Sequence, residues 1–199
     1  MTPKTKRSLI EYGIFIGVAV ILYVTGLHTE VIGFVQRGIL ATGVMNPDVS
    51  ETSVAIDDAN GGPIPADLNF KLIDEQGHMV SLEDFKGKVI FLNLWATWCP
   101  PCLAELPNIA TLHDDLKDEV VFVMLSLDED FNKAIAFNQR KGYNLPIYAL
   151  GSRLPQQFQT ATTIPRTYVI DAKGHLVLTH KGMANYASKA FKEFISKQK

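Results

Sequence analysis

Cysteine is scarce in this chain: 199 residues contain two. Two sulfurs cannot staple a disulfide-rich scaffold, nor fill a zinc site held by cysteine alone, which takes four ligands. They leave a single bridge, two spare thiols or a redox pair. An excess of one charge is also missing. With 19 Lys and Arg against 21 Asp and Glu, the formal net charge is -2 at pH 7, which gives no support for a nucleic-acid binder. Internal repeats and low-complexity tracts are absent, and 47% apolar with 10% aromatic residues is too much core material for a disordered chain.

The near-neutral total conceals a division. Residues 1–43 carry Lys4, Lys6, Arg7 and Arg37 against Glu11 and Glu30. Residues 44–69 carry five acids, Asp48, Glu51, Asp57, Asp58 and Asp67, and no base. The remaining 70–199 are nearly balanced, with 15 bases and 14 acids. A stretch of that size is ordinary for one domain with its own core.

No charge interrupts Tyr12 to Leu27, and three bases precede that run. Sixteen helical residues reach roughly 24 Å, and Leu9, Ile10 and the flanks extend this toward the ~30 Å of a bilayer core. A transmembrane anchor over 9–29 is therefore expected, with 1–8 in the cytoplasm and everything later outside it. A cleaved signal peptide is the alternative, but no small-x-small site closely follows the apolar run. Residues 30–66 are expected to form an interfacial segment, with Ile32, Val35 and Ile39 on one helical face, followed by an acidic, Pro- and Gly-rich linker. The folded domain should then occupy 67–199.

Within it, Phe70–Ile73 and a segment near Met79 predict short strands, and Ser81 with Asp84 suits a capped helical turn. Val89–Trp95 and Val120–Leu127 are continuous apolar runs, the pattern of strands buried on both faces. Helices are expected over Pro100–Leu116, Glu129–Lys141 and Tyr186–Ser196. Thr167–Ile170 and Leu176–Thr179 read as a hairpin turning at Asp171-Ala172-Lys173-Gly174. The order βαβα then ββα implies an α/β fold, a central mixed β-sheet with helices on both faces.

Both cysteines fall in Trp95-Ala96-Thr97-Trp98-Cys99-Pro100-Pro101-Cys102, where a buried strand ends and a helix begins. Unpaired N–H groups and partial positive charge at a helix N-terminus stabilise a thiolate. Cys99, the earlier and more exposed, is therefore expected to attack, and Cys102, one turn in, to resolve. The two prolines between them need no N–H partner in that first turn.

WATWCPPC, Pro107 five residues on, and Thr163-Ile164-Pro165 ahead of Thr167-Tyr168-Val169-Ile170-Asp171 resemble the thioredoxin superfamily over about residues 64–199. Within it, the chain resembles the membrane-anchored TlpA-like and ResA-like thiol-disulfide oxidoreductases. The resemblance implies a thioredoxin-like fold and a cis Pro165 facing the cysteines, with Trp98, Ile164, Pro165 and Arg166 meeting the partner chain. It implies further that Glu105, three residues after Cys102, moves protons for the sulfurs. Asn93 stands where cytosolic thioredoxins carry a buried Asp. Arg166 departs from the Thr that often follows the proline, and Ile164 before it is a further departure.

The reading is a disulfide-exchange enzyme on the outer face of a bacterial inner membrane, acting on protein disulfides or dithiols. As a reductase, for example in cytochrome c maturation, it would be fed by a thiol-type membrane donor. No metal and no cofactor beyond the Cys99–Cys102 disulfide is expected. The alternatives are a thiol oxidant, a peroxiredoxin-type peroxidase attacking through Cys99, and a copper-binding assembly module. Haem attachment would need His after Cys102, where Leu103 stands. His28, His78, His113, His175 and His180 are too scattered to suggest a ligand set.

Overall fold

The computed structural model describes residues 3–25, 27–41, 47, 62–159 and 163–199. Most of the expected acidic linker lies outside these. Two helices, α1 (Pro3–Val24) and α2 (Leu27–Ala41), stand where the sequence predicted one span over 9–29. A turn at Thr25 ends α1, and its hydroxyl donates to Leu22 O at 3.4 Å. Among the described residues, no helix is long and apolar enough to cross a membrane. Tyr12, Ile14, Phe15, Ile16, Tyr23 and Val24 of α1 are all exposed.

The remaining elements are β1 (Lys71–Ile73), β2 (Met79–Ser81), a 3-10 turn (Leu82–Phe85), β3 (Val89–Trp95), α3 (Pro100–Leu116), β4 (Val120–Ser126), α4 (Phe131–Lys141), β5 (Ile147–Leu150), α5 (Gln156–Gln159), β6 (Arg166–Ile170), β7 (Leu176–Lys181) and α6 (Lys189–Ser196). They form one seven-stranded sheet in the order β2-β1-β5-β4-β3-β6-β7. β3 lies at its heart, parallel to β4 and antiparallel to β6. Every residue of β3 is buried, because alternate side chains feed two separate cores. Val89, Phe91 and Trp95 pack with Leu106, Ile109, Phe137, Phe191 and other residues of α3, α4 and α6. Ile90, Leu92 and Leu94 face the opposite core, closed by Leu82 of the 3-10 turn and Phe158 of α5. Helices thus cover both faces, with α3, α4 and α6 on one and the 3-10 turn and α5 on the other.

Two local differences from the sequence pattern have physical causes, and one expected turn is met. α6 begins at Lys189 rather than Tyr186, because the Ser188 hydroxyl caps it by accepting from Phe191 N–H at 3.4 Å. Tyr186 is thereby released into the core, where its hydroxyl donates to Thr167 Oγ1 at 2.7 Å. β5 was not anticipated, since four residues between Pro146 and Gly151 carry little pattern; it joins β1 and β2 to the main sheet. The β6–β7 hairpin turns at Gly174, whose φ of 88° suits a residue without Cβ.

Candidate active site

Buried strand β3 delivers the chain through Ala96, Thr97 and Trp98 to Cys99, the N-cap of α3. Cys99 and Cys102 are joined by a disulfide. Cys99 Sγ accepts from Cys102 N–H at 3.3 Å, so a backbone donor that the helix start leaves spare is spent on the leading sulfur. Pro100 and Pro101 fill the next positions, where missing N–H groups leave nothing unpaired. Cys99 is 4% exposed and Cys102 0%, so the expected order of accessibility holds, although the opening onto Cys99 is narrow.

The Ile164–Pro165 peptide bond is cis, and Ile164 O lies 3.8 Å from Cys99 Sγ. The cysteine loop and the start of β6 therefore meet, and Trp98 stands beside them with 59% of its surface exposed. Arg166 opens β6 opposite Leu94 and Lys181. None of its described hydrogen bonds or ion pairs reaches the cysteines, and its Nε is buried without a hydrogen-bond partner.

On the inner side of α3, three residues past Cys102, Glu105 is wholly buried. Asn93 Nδ2 donates to Glu105 Oε1 at 2.9 Å, and Ala184 N–H donates to Oε2 at 3.1 Å. Asn93 Nδ2 also donates to Thr167 Oγ1 at 2.9 Å, which links the carboxyl to Tyr186 through the hydroxyl of Thr167. Burial pushes the Glu105 carboxyl up to about 8, against the smaller opposing effect of its two donors. Burial, then the nearby Glu105 charge, likewise drives the Tyr186 hydroxyl well above the ordinary tyrosine value. At neutral pH most Glu105 carboxyls hold a proton, and the ionised fraction can accept one.

Sequence reasoning missed Asp128. Its carboxylate accepts from Thr97 N–H at 3.0 Å, from Thr97 Oγ1 at 2.6 Å and from Ser126 Oγ at 2.9 Å. Leu127 N–H donates to Trp95 O at 2.8 Å alongside. The loop ahead of Cys99 is thus pinned to the end of β4. The available signal was an acid two residues beyond a buried parallel strand, the end of an α/β sheet where sites form. Thr167 and Tyr186 were read as strand and helix-start residues, and only the fold brings them to Glu105.

Among the described residues, no group of three His, Cys, Asp or Glu is placed to hold a metal ion. His78 and His175 instead face Asp74 at 3.2 Å and Asp171 at 3.3 Å.

A cysteine pair at a helix N-terminus, beside a cis-proline at the start of the neighbouring antiparallel strand, is the arrangement of a thioredoxin-like redox protein. Residues 59–192 match the Redoxin family model, and the chain belongs to that family. The thiol-disulfide oxidoreductase ResA of Bacillus thuringiensis subsp. konkukian is 34% identical over 116 residues, 57% of this chain and 66% of the relative. ResA of Halalkalibacterium halodurans is 30% identical over 130 residues, 64% of this chain and 74% of the relative. The chain spans just under two thirds of the length of the first of these. Among solved structures, a thioredoxin-family thiol:disulfide interchange protein from Chlorobium tepidum TLS superposes with a TM-score of 0.58 at 25% identity. That match covers 69% of this chain and 97% of the other. StoA from Bacillus subtilis does so at 0.54 and 25%, covering 65% and 98%.

Proposed function

We propose that the protein is a thiol-disulfide oxidoreductase that exchanges its Cys99–Cys102 pair with protein disulfides. The observation that carries this reading is the sulfur of Cys99, capped by Cys102 N–H and set 3.8 Å from Ile164 O beside cis-Pro165. In the reducing direction, a Cys99 thiolate attacks one sulfur of the partner's disulfide. A mixed disulfide forms and the partner's other sulfur leaves as thiolate. Cys102 then gives its proton to the ionised Glu105 and attacks Cys99 Sγ. The partner's second sulfur is released, and the two electrons of the dithiol end on the partner. The Cys99–Cys102 disulfide that results is the state of the structure. No cofactor beyond that disulfide is required, and a dithiol donor regenerates the pair by the same steps in reverse.

The proposed setting is the outer face of a bacterial inner membrane. Residues 9–29 serve as anchor, the N-terminus lies in the cytoplasm, a membrane donor supplies electrons, and cytochrome c maturation is the candidate process. The uncharged run Tyr12–Leu27 behind three bases supports this, as do the exposed apolar side chains of α1. Tethering raises the effective concentration of a donor in the same membrane.

Trapping tests the reading. In membranes, a Cys102→Ala chain should accumulate a covalent complex through Cys99, identifiable by mass spectrometry, and Cys99→Ala should accumulate none. Capture through Cys102 alone would reverse the assigned roles, and capture through neither would remove the proposal.

A further inference from the structure

Helix α2 lies against the first turns of α3. A Cβ built on Gly33 would stand 3.1 Å from Pro100 O, 3.3 Å from Leu103 Cβ and 3.7 Å from Ala104 N. Only a residue without a side chain permits so close an approach, and Pro100 adjoins Cys99. Leu40, at the far end of α2, is 1% exposed, so the helix buries a side chain at a second point along its length.

Two observations set this contact apart from the core of the domain. α2 precedes the Redoxin match at 59–192, and the C. tepidum chain is 97% used up in matching 69% of this one, which leaves it almost nothing to supply a counterpart. The seat is also imperfect. On α2, Gln36 Oε1 and Arg37 Nε are buried without a hydrogen-bond partner among the described residues. A buried polar group without a partner is destabilising, and a helix leaving its seat lets water supply the missing hydrogen bond. Val31, Phe34 and Val35 on the outer side remain exposed.

We propose that α2 is a displaceable cover on the active-site helix and a determinant of which partners the disulfide accepts. It fills the face formed by Pro100 O, Leu103 and Ala104, over which a bulky partner must pack to bring its sulfur to Cys99. A small disulfide needs only the opening between Trp98 and Ile164. A partner that engages α3 must first displace α2, so its apparent affinity is reduced by the fraction of molecules with the seat empty. The proposal rests on the disulfide-exchange reading.

The test uses the full chain and two variants that lie outside the cysteine motif. Gly33→Leu forces a side chain into Pro100 O, and Leu40→Ala removes the buried side chain at the far end of α2. Trypsin cleavage after Arg37 reports release of α2 and should accelerate in both. The reduced proteins are then assayed with insulin as a protein disulfide and with oxidised glutathione as a small one. KM for insulin should fall about tenfold if the seat is filled nine-tenths of the time, with kcat and the glutathione rate unchanged. Faster cleavage with an unchanged insulin KM would overturn the proposal, as would an equal gain for both substrates or cleavage unaltered in both variants. Absence of exchange in the unsubstituted chain with either substrate would instead overturn the exchange reading, and the cover would fall with it.

Discussion

Asn93 Nδ2 donates to Glu105 Oε1 at 2.9 Å in a site that neither residue shares with solvent. That bond joins the central strand to the active-site helix and holds a carboxyl that burial has pushed up to about 8. A group so tuned changes its proton near the pH at which thiols do, which suits it to serve both directions of exchange.

The first consequence is kinetic. Resolution of a mixed disulfide by Cys102 should quicken as Glu105 ionises, giving an inflection near pH 8. Glu105→Gln keeps the shape and removes the proton site, so the inflection should vanish and the step should slow by roughly a hundredfold. Stopped-flow resolution of a preformed mixed disulfide, followed across pH, reads both. A profile identical to that of the unsubstituted protein would leave Glu105 a purely structural group.

The same carboxyl predicts how stability varies with pH. Its folded value of about 8 lies above the ordinary 4.5, so between the two the folded state binds more protons than the unfolded state. Stability should therefore be highest at the acid end of this window and decline as pH rises through it, by on the order of a few kcal/mol. Above the folded value this contribution levels off. Urea midpoints measured across the window for the protein and for Glu105→Gln check the sign, because the variant should lose the slope.

Much of this was legible in the chain because the decisive features are local. The run Val89–Trp95, apolar but for Asn93, read as a strand covered on both faces, and the switch to Cys99-Pro100-Pro101-Cys102 marked the start of α3 at the residue where it begins. The hydrogen-bond network was not legible. Asn93, Glu105, Thr167 and Ala184 are spread over three strands and helices and a loop, and their meeting depends on β3 pairing with β6, which no local pattern encodes. Asp128 was hidden for the same reason, since its partner Thr97 is 31 residues away. The docking of α2 was equally unreadable: Gly33 looks like any helix glycine until Pro100 O is found 3.1 Å from its missing Cβ.

Asp128 gives a third prediction. Asp128→Ala removes the acceptor for both the N–H and the hydroxyl of Thr97, and the loop carrying Trp98 loses its tie to β4. The site is part-buried, so the loss should be about 1–2 kcal/mol, toward the lower end for hydrogen bonds to a charged group. The Thr97 amide should exchange with deuterium at least tenfold faster, while amides in β3 keep their protection. Equal protection of Thr97 in both proteins would show that the loop is held by other contacts.

Asn93→Asp is the sharpest probe of the buried network. It places a second carboxyl within hydrogen-bond reach of Glu105, in a setting where one ionised group is already disfavoured. Two acids so close can share one proton, but the second ionisation sets like charges side by side without solvent. Thr167 Oγ1 also loses the amide donor that Asn93 supplies, leaving it the Tyr186 hydroxyl. Both carboxyls then have folded values above their unfolded ones, so the fall in stability with rising pH should be steeper than in the unsubstituted protein. At acid pH, with both carboxyls protonated, the cost should be small; at alkaline pH it should reach roughly 3 kcal/mol or more, the scale of an uncompensated buried charge. Parallel urea titrations of the two proteins at each end of the window decide it. A constant difference between them would mean that the new carboxyl has escaped to solvent, and that the Asn93–Glu105 contact yields more readily than its burial implies.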